Sequence, residues 1–96
     1  MPTALWIAHV EVMDPEAYGK YAALAGPAIA AHGGHFLARG GRYVQLEGND
    51  RARNVVARFP SLDAAVACYR SEAYQAALAQ AKGAALRDLV VVEEVG

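Results

Sequence analysis

Residues Leu5 to Val12 (LWIAHVEV) alternate, with Trp6, Ala8, Val10 and Val12 on one face and Leu5, Ile7, His9 and Glu11 on the other. Period two with aromatic and β-branched residues predicts a strand. Asp14-Pro15-Glu16 then announces a helix. Asp14 can cap the free N–H groups, Pro15 suits the first turn, and Glu16 meets the positive end of the dipole. Tyr18, Ala22, Ala25, Ile29 and His32 recur at helical spacing with Tyr21 beside them, until Gly33-Gly34 stops the run. Pro27 inside it is expected to remove one backbone hydrogen bond and bend the axis.

The second strand is His35 to Arg39 (HFLAR), followed by Gly40-Gly41 as a bulge or tight hairpin. The alternation of Arg42 to Glu47 (RYVQLE) predicts that the strand continues to a turn at Gly48-Asn49-Asp50. Arg53 to Phe59 (RNVVARF) is the third main strand, ended by Pro60. Ser61 caps a second helix, Ser71-Glu72 restarts it, and Tyr74, Leu78 and Ala81 carry its apolar stripe to Lys82-Gly83. Leu89 to Val95 reads as the last strand. The order β-α-β-β-α-β over residues 1–96 is a single α+β domain of the ferredoxin-like, split-βαβ type, an antiparallel sheet with helices on one face.

Both sheet faces carry apolar residues. Trp6, Ala8, Val10, Phe36, Ala38, Val55, Ala57, Val90 and Val92 are expected on one. Leu5, Ile7, Leu37, Val56, Leu89 and Val91 are expected on the other, mixed with His9, Glu11, Arg39 and Glu93. Two helices cover one face, so the second implies a partner, most simply an identical chain in a homodimer.

Composition narrows the function classes. The chain has 96 residues, nine basic, ten acidic, a net charge of −1 and one Cys. A nucleic-acid module needs a basic footprint, which is absent. One Cys makes no internal disulfide, and no stretch suits a signal peptide or a membrane span. A soluble cytoplasmic protein is expected, with no membrane partner. Alanine fills 22 positions, so the core is built largely of small side chains and gains from a partner surface.

Val12-Met13-Asp14-Pro15-Glu16-Ala17-Tyr18 with Tyr21, then His32-Gly33-Gly34, Arg39-Gly40-Gly41 and Leu46-Glu47-Gly48, precede Phe59-Pro60-Ser61 and Tyr69-Arg70-Ser71-Glu72-Ala73-Tyr74. In order and spacing this ensemble resembles domain-of-unknown-function family 1330, small bacterial proteins of the dimeric α/β-barrel superfamily. The resemblance spans essentially the whole chain. It implies a ferredoxin-like protomer whose sheet pairs with a second protomer's to form a barrel. The wider superfamily includes cofactor-free monooxygenases, muconolactone-type isomerases and haem-degrading enzymes. Two positions depart from relatives: Arg58 stands where an acid is more usual, and Glu94 where a glycine is.

Candidate chemistry centres on His9 and Arg39. Arg39, beside flexible Gly40-Gly41, could hold a carboxylate or enolate in bidentate fashion, or pair structurally with Glu47 or Glu93. His9, with Glu93 expected on the neighbouring strand, suits a general base near neutral pH or a polar anchor in a dimer interface. Tyr18, Tyr21, Tyr69 and Tyr74 are core aromatics that as a group could line a cleft for an aromatic ligand. Cys68, inside an apolar helical stretch, reads as a quiet buried thiol. No metal site is expected, since the three histidines lack ligand spacing, and no motif calls for a cofactor. Two functions follow from these residues. One is a homodimeric barrel that binds, and transforms without cofactor, a small organic acid, ketone or phenol. The other is a non-catalytic module that binds a metabolite or a protein.

Overall fold

In the computed structural model, which describes residues 2–96, strand β1 (Ala4–Val12) leads into helix α1 (Pro15–Ala31) and strand β2 (His35–Arg39). Strand β3 (Arg53–Phe59), helices α2 (Leu62–Arg70) and α3 (Glu72–Ala81) and strand β4 (Ala85–Glu93) complete the chain. All pairings are antiparallel and the strand order is β2-β3-β1-β4. This is the ferredoxin-like arrangement, with the central strands β3 and β1 flanked by two edge strands.

Local chemistry explains the element boundaries. The Asp14 side chain accepts from the Ala17 N–H and Pro15 occupies the first turn of α1. At the other end Gly34 N–H donates to Ile29 C=O and Gly33 N–H to Ala30 C=O, with Gly33 at φ +82°. This double closure is the Schellman cap that the two glycines allow. His32 adds a hydrogen bond from its ring to Ala28 C=O at 2.9 Å. Ser61 caps α2 through Ala64 N–H, and Ser71 ends α2 while capping α3 through Tyr74 N–H.

Three expectations are corrected. Arg42 to Glu47 forms no strand: residues 40–52 lie outside any helix or strand and are almost wholly exposed. Its alternation is real, but the segment has no neighbouring strand to bond, and alternation without a ladder does not make a sheet. The last strand begins at Ala85, four residues before Leu89, because β4 pairs with the full length of β1, from Ala4↔Glu93 to Val12↔Ala85. The third correction is the parity of β4. Trp6↔Val91, Ala8↔Leu89 and Val10↔Arg87 are register partners, so Leu89 and Val91 face the helices while Val90 and Val92 face away. A run of three valines has no internal parity, and pairing decides it.

Trp6, Ala8, Val10, Val55, Ala57 and Phe59 on the sheet pack against Tyr18, Tyr21, Ala25, Ile29, Ala65, Cys68, Tyr74 and Ala77 on the helices. Trp6 anchors this core, its ring 5.6 Å from Phe59 and 5.1 Å from Tyr74. The opposite face of the sheet has no helix on it. Leu37, Leu86, Val90 and Val92 are exposed there, at 47, 48, 55 and 47%.

Candidate functional site

A β-bulge places the first residue of the site. Phe36 pairs with Ala57, but Ala38 pairs with Val56 and Arg39 with Val55, so one residue is inserted around Leu37. An extra residue reverses the alternation beyond it. Arg39 therefore joins Val55 and Ala8 on the helix-covered face instead of the open face. Its guanidinium carbon lies 4.2 Å from the Phe36 ring centroid. A guanidinium nitrogen lies 3.5 Å from where a Cβ on Gly26 would stand, an ordinary contact, so Arg39 rests against α1 at that glycine.

His9 stays on the open face, and the expected cluster of His9, Arg39 and Glu93 does not form. The sheet itself separates His9 from Arg39. Glu93 pairs with Ala4 at the far end of the ladder, and the neighbour of His9 on β4 is Asp88. The His9 ring shares a 2.7 Å hydrogen bond with Asn54 Oδ1, and Asp88 pairs with Arg51 at 3.2 Å. Glu47 is exposed in the 40–52 segment. Arg39 makes no ion pair with Glu47 or Glu93; among the described residues the ion pairs are Arg51–Asp88 and Arg58–Glu94. Arg58 grips Glu94 with two nitrogens, at 2.6 and 3.1 Å, and Thr3 Oγ1 donates to the same carboxylate. These hydrogen bonds hold the Glu94 carboxyl below its ordinary range.

A narrow cleft with a cavity of about 20 Å³ lies between α1 and the sheet. Trp6, Tyr18, Ile29 and Phe36 give it apolar walls, and Tyr21, Arg39, Arg53 and Arg87 give it polarity. None of its lining side chains is acidic. Arg53 and Arg87 are both register partners of Val10, one on each side, so they form a row across β3-β1-β4 on the helix face. The guanidinium of Arg53 lies 5.4 Å from the Tyr18 ring and that of Arg87 lies 4.8 Å from Tyr21. Arg87 donates to the hydroxyls of Tyr21 and Tyr74 at 2.9 and 3.1 Å, and those hydroxyls share a 2.6 Å bond. The Nε atoms of Arg53 and Arg87 are buried and have no hydrogen-bond partner. Donors left in that state cost free energy until an acceptor arrives.

Of the tyrosines, Tyr18 and Tyr21 line the cleft and Tyr74 supports it from below. Tyr69 does not reach it: the ring packs on Trp6 and Tyr74 and is 37% exposed. Arg53 and Arg87 were not singled out from sequence. The available signal is a charged residue at the inward parity of a strand, Arg53 with Val55 and Ala57, Arg87 with Leu89 and Val91. For Arg87 that signal needs the correct start of β4.

Burial pushes the Tyr21 phenol far above its ordinary value, and Tyr74 also rises. Burial disfavours the Arg87 charge, but the two phenols outweigh it and keep that guanidinium firmly cationic. Tyr21 is thus protonated at neutral pH. The guanidiniums can hold an anionic oxygen and stabilise charge that builds on it. Cys68 stands outside the cleft, with burial pushing its thiol up to about 11, as a quiet residue should be. Among the described residues, no three His, Cys, Asp or Glu side chains gather as metal ligands, and no helix is long and apolar enough to cross a membrane.

The family profile described as Domain of unknown function (DUF1330) matches residues 3–95. No curated protein matches the chain significantly. Among solved structures, a protein of unknown function from Rhodopseudomonas palustris superposes with a TM-score of 0.78 at 22% identity, over 99% of this chain and 84% of that one. SnoaB, described as a cofactor-independent oxygenase from Streptomyces nogalater, gives 0.66 at 13% identity, over 100% and 96%. A dimeric ferredoxin-like protein of unknown function from Thermobifida fusca gives 0.60 at 18%, over 97% and 92%. At these identities the likeness establishes the fold.

Proposed function

Because the chain belongs to the DUF1330 family, whose description names no reaction, we propose its role from its own cleft: it binds a small organic anion, the carboxylate of an acid or the oxyanion of an enolised ketone or phenol. One observation carries this reading. Three arginines line an apolar cleft that contains no acid, and two of them keep a buried Nε without a partner. Structural arginines are normally paired, and unpaired guanidinium donors beside aromatic walls suit an acidic, planar ligand. Arg53 and Arg87 take the anionic oxygen, Tyr21 orients Arg87 through its hydroxyl, and Tyr18, Trp6 and Phe36 form the walls. No cofactor is needed for this chemistry, because the guanidiniums themselves stabilise the oxyanion. His9 has no part in it.

The assembly in this reading is a homodimer closed over the open face of the sheet. Exposed Leu37, Leu86, Val90 and Val92 support it, as does the buried Arg51 NH1 on that side, which lacks an acceptor. A reducing, cytoplasmic setting suits the free Cys68.

The test uses Trp6, whose ring lines the cleft, as a fluorescent reporter. Titration with benzoate, pyruvate and phenol at pH 7 should give saturable binding of the acids. Arg87→Gln and Arg53→Gln should each weaken it at least tenfold, while neutral benzamide should bind far more weakly than benzoate. Benzamide and benzoate binding alike would overturn the anion assignment and favour a protein-interaction module instead.

A further inference from the structure

The arm that joins β2 to β3 leaves the sheet and returns to it. Gly40 N–H donates to Asn54 C=O at 2.9 Å, which pins both ends of the arm at the sheet margin. Beyond that bond, residues 42–47 carry the alternation of a strand between Gly40 at φ +70° and Gly48 at φ +86°. Val44 and Leu46 fall on one side of the arm and are 78 and 87% exposed. Tyr43, on the other side, is held within the arm by a 2.6 Å hydrogen bond to Asp50 Oδ1. The arm thus offers two apolar side chains, and a backbone that joins no ladder, to a surface outside the protomer.

The outer edge of β4 has the complementary defect. In the order β2-β3-β1-β4 both β2 and β4 are edges, but they are not equally protected. β2 has five residues and is broken by the bulge around Leu37, and shortness and bulges both blunt an edge. β4 has nine residues, keeps one register with β1 throughout, and runs Leu89-Val90-Val91-Val92 without a charge or a proline. A long, regular, apolar edge is a template for a free strand, and proteins normally cover it. β3 and β1 stand between the base of the arm and this edge, and within one protomer the edge stays bare.

We propose that residues 42–47 of one protomer add as a strand to the β4 edge of a second copy, whose arm does the same in return. This rests on the homodimer reading above and names the segment that the two copies exchange. The occupant is a second copy because each protomer carries one arm and one bare edge. A two-fold pair satisfies both at once and leaves neither free for further growth. The lengths agree, since an extended run of residues 42–47 spans about 20 Å and β4 about 30 Å. The side chains agree as well. With Val44 and Leu46 beside Val90 and Val92, the apolar open face continues across the added strand.

Hydrogen exchange and sedimentation on the intact protein test the arm. In the dimer, amides of residues 42–47 should exchange at least tenfold more slowly than in protein diluted to monomer. Val44→Pro and Gln45→Pro, made together, remove a donor from whichever side faces β4, since successive N–H groups point opposite ways. Leu46→Asp instead removes an apolar contact. All three positions are exposed, so the circular dichroism of the parent should be kept while dimerisation weakens at least tenfold. Arm amides that exchange at the free rate in a stable dimer, or variants that dimerise like the parent, would overturn the exchange and leave the open-face dimer standing. A parent that is monomeric at micromolar concentration removes both.

Discussion

Tyr21 and Tyr74 meet hydroxyl to hydroxyl at 2.6 Å, and a single nitrogen of Arg87 donates to both oxygens. The contact joins α1, α3 and β4, so one small polar knot ties the two helices to an edge strand beneath an otherwise apolar core. Removing the Tyr74 hydroxyl takes an acceptor from Arg87 and a partner from Tyr21. Tyr74→Phe should cost about 1 kcal/mol, the net worth of a typical buried hydrogen bond, whereas Tyr74→Ala should cost about 3–5 kcal/mol by leaving a cavity. Urea unfolding followed by circular dichroism measures both. A neutral Tyr74→Phe would mean that the knot positions side chains without stabilising them.

The same phenols set the alkaline limit. In the native protein burial holds Tyr21, and to a lesser degree Tyr74, protonated above their ordinary value. The unfolded chain releases those protons near pH 10. Native protein therefore binds more protons than unfolded protein above that pH, and stability falls as pH rises through this range. Melting temperatures should begin to fall near pH 9, where the thiol of Cys68 ionises in the unfolded chain but not in the buried one, and decline more steeply beyond pH 10. Phenolate absorbance from the buried pair should appear together with unfolding; its appearance in folded protein would contradict the burial argument.

The open sheet face should carry the dimer. Val90→Asp with Val92→Asp places two charges on that face and none in the core, since both side chains point away from the helices. Light scattering should show the parent as a dimer with an interface above ~1,000 Å², and the double variant as a folded monomer. A parent that stays monomeric at micromolar concentration would require another cover for the exposed valines.

His9 provides a control that separates the two faces. Its ring is bonded to Asn54 on the side opposite the cleft. His9→Ala should leave acid binding within twofold of the parent and act instead on dimer affinity, read by sedimentation. Loss of acid binding with the dimer intact would return His9 to the site.

Most of the architecture follows from local chemistry legible in the chain. Asp14-Pro15, Gly33-Gly34, Ser61 and Ser71 mark helix ends because each satisfies backbone groups within a few residues of itself. The alternation of β1 and β3 exposes their buried faces just as directly. What depends on pairing between distant segments was decided only in the folded sheet. The bulge around Leu37 carries Arg39 across the sheet, the register with β1 turns the β4 valines over, and the 40–52 segment stays out of the ladder. Each is a matter of register, and a shift of one residue exchanges the faces of a strand. That is why the tyrosines of α1 and α3 could be read as a group, while the row of Arg53, Val10 and Arg87 that makes their cleft cationic appears only once β3, β1 and β4 lie side by side.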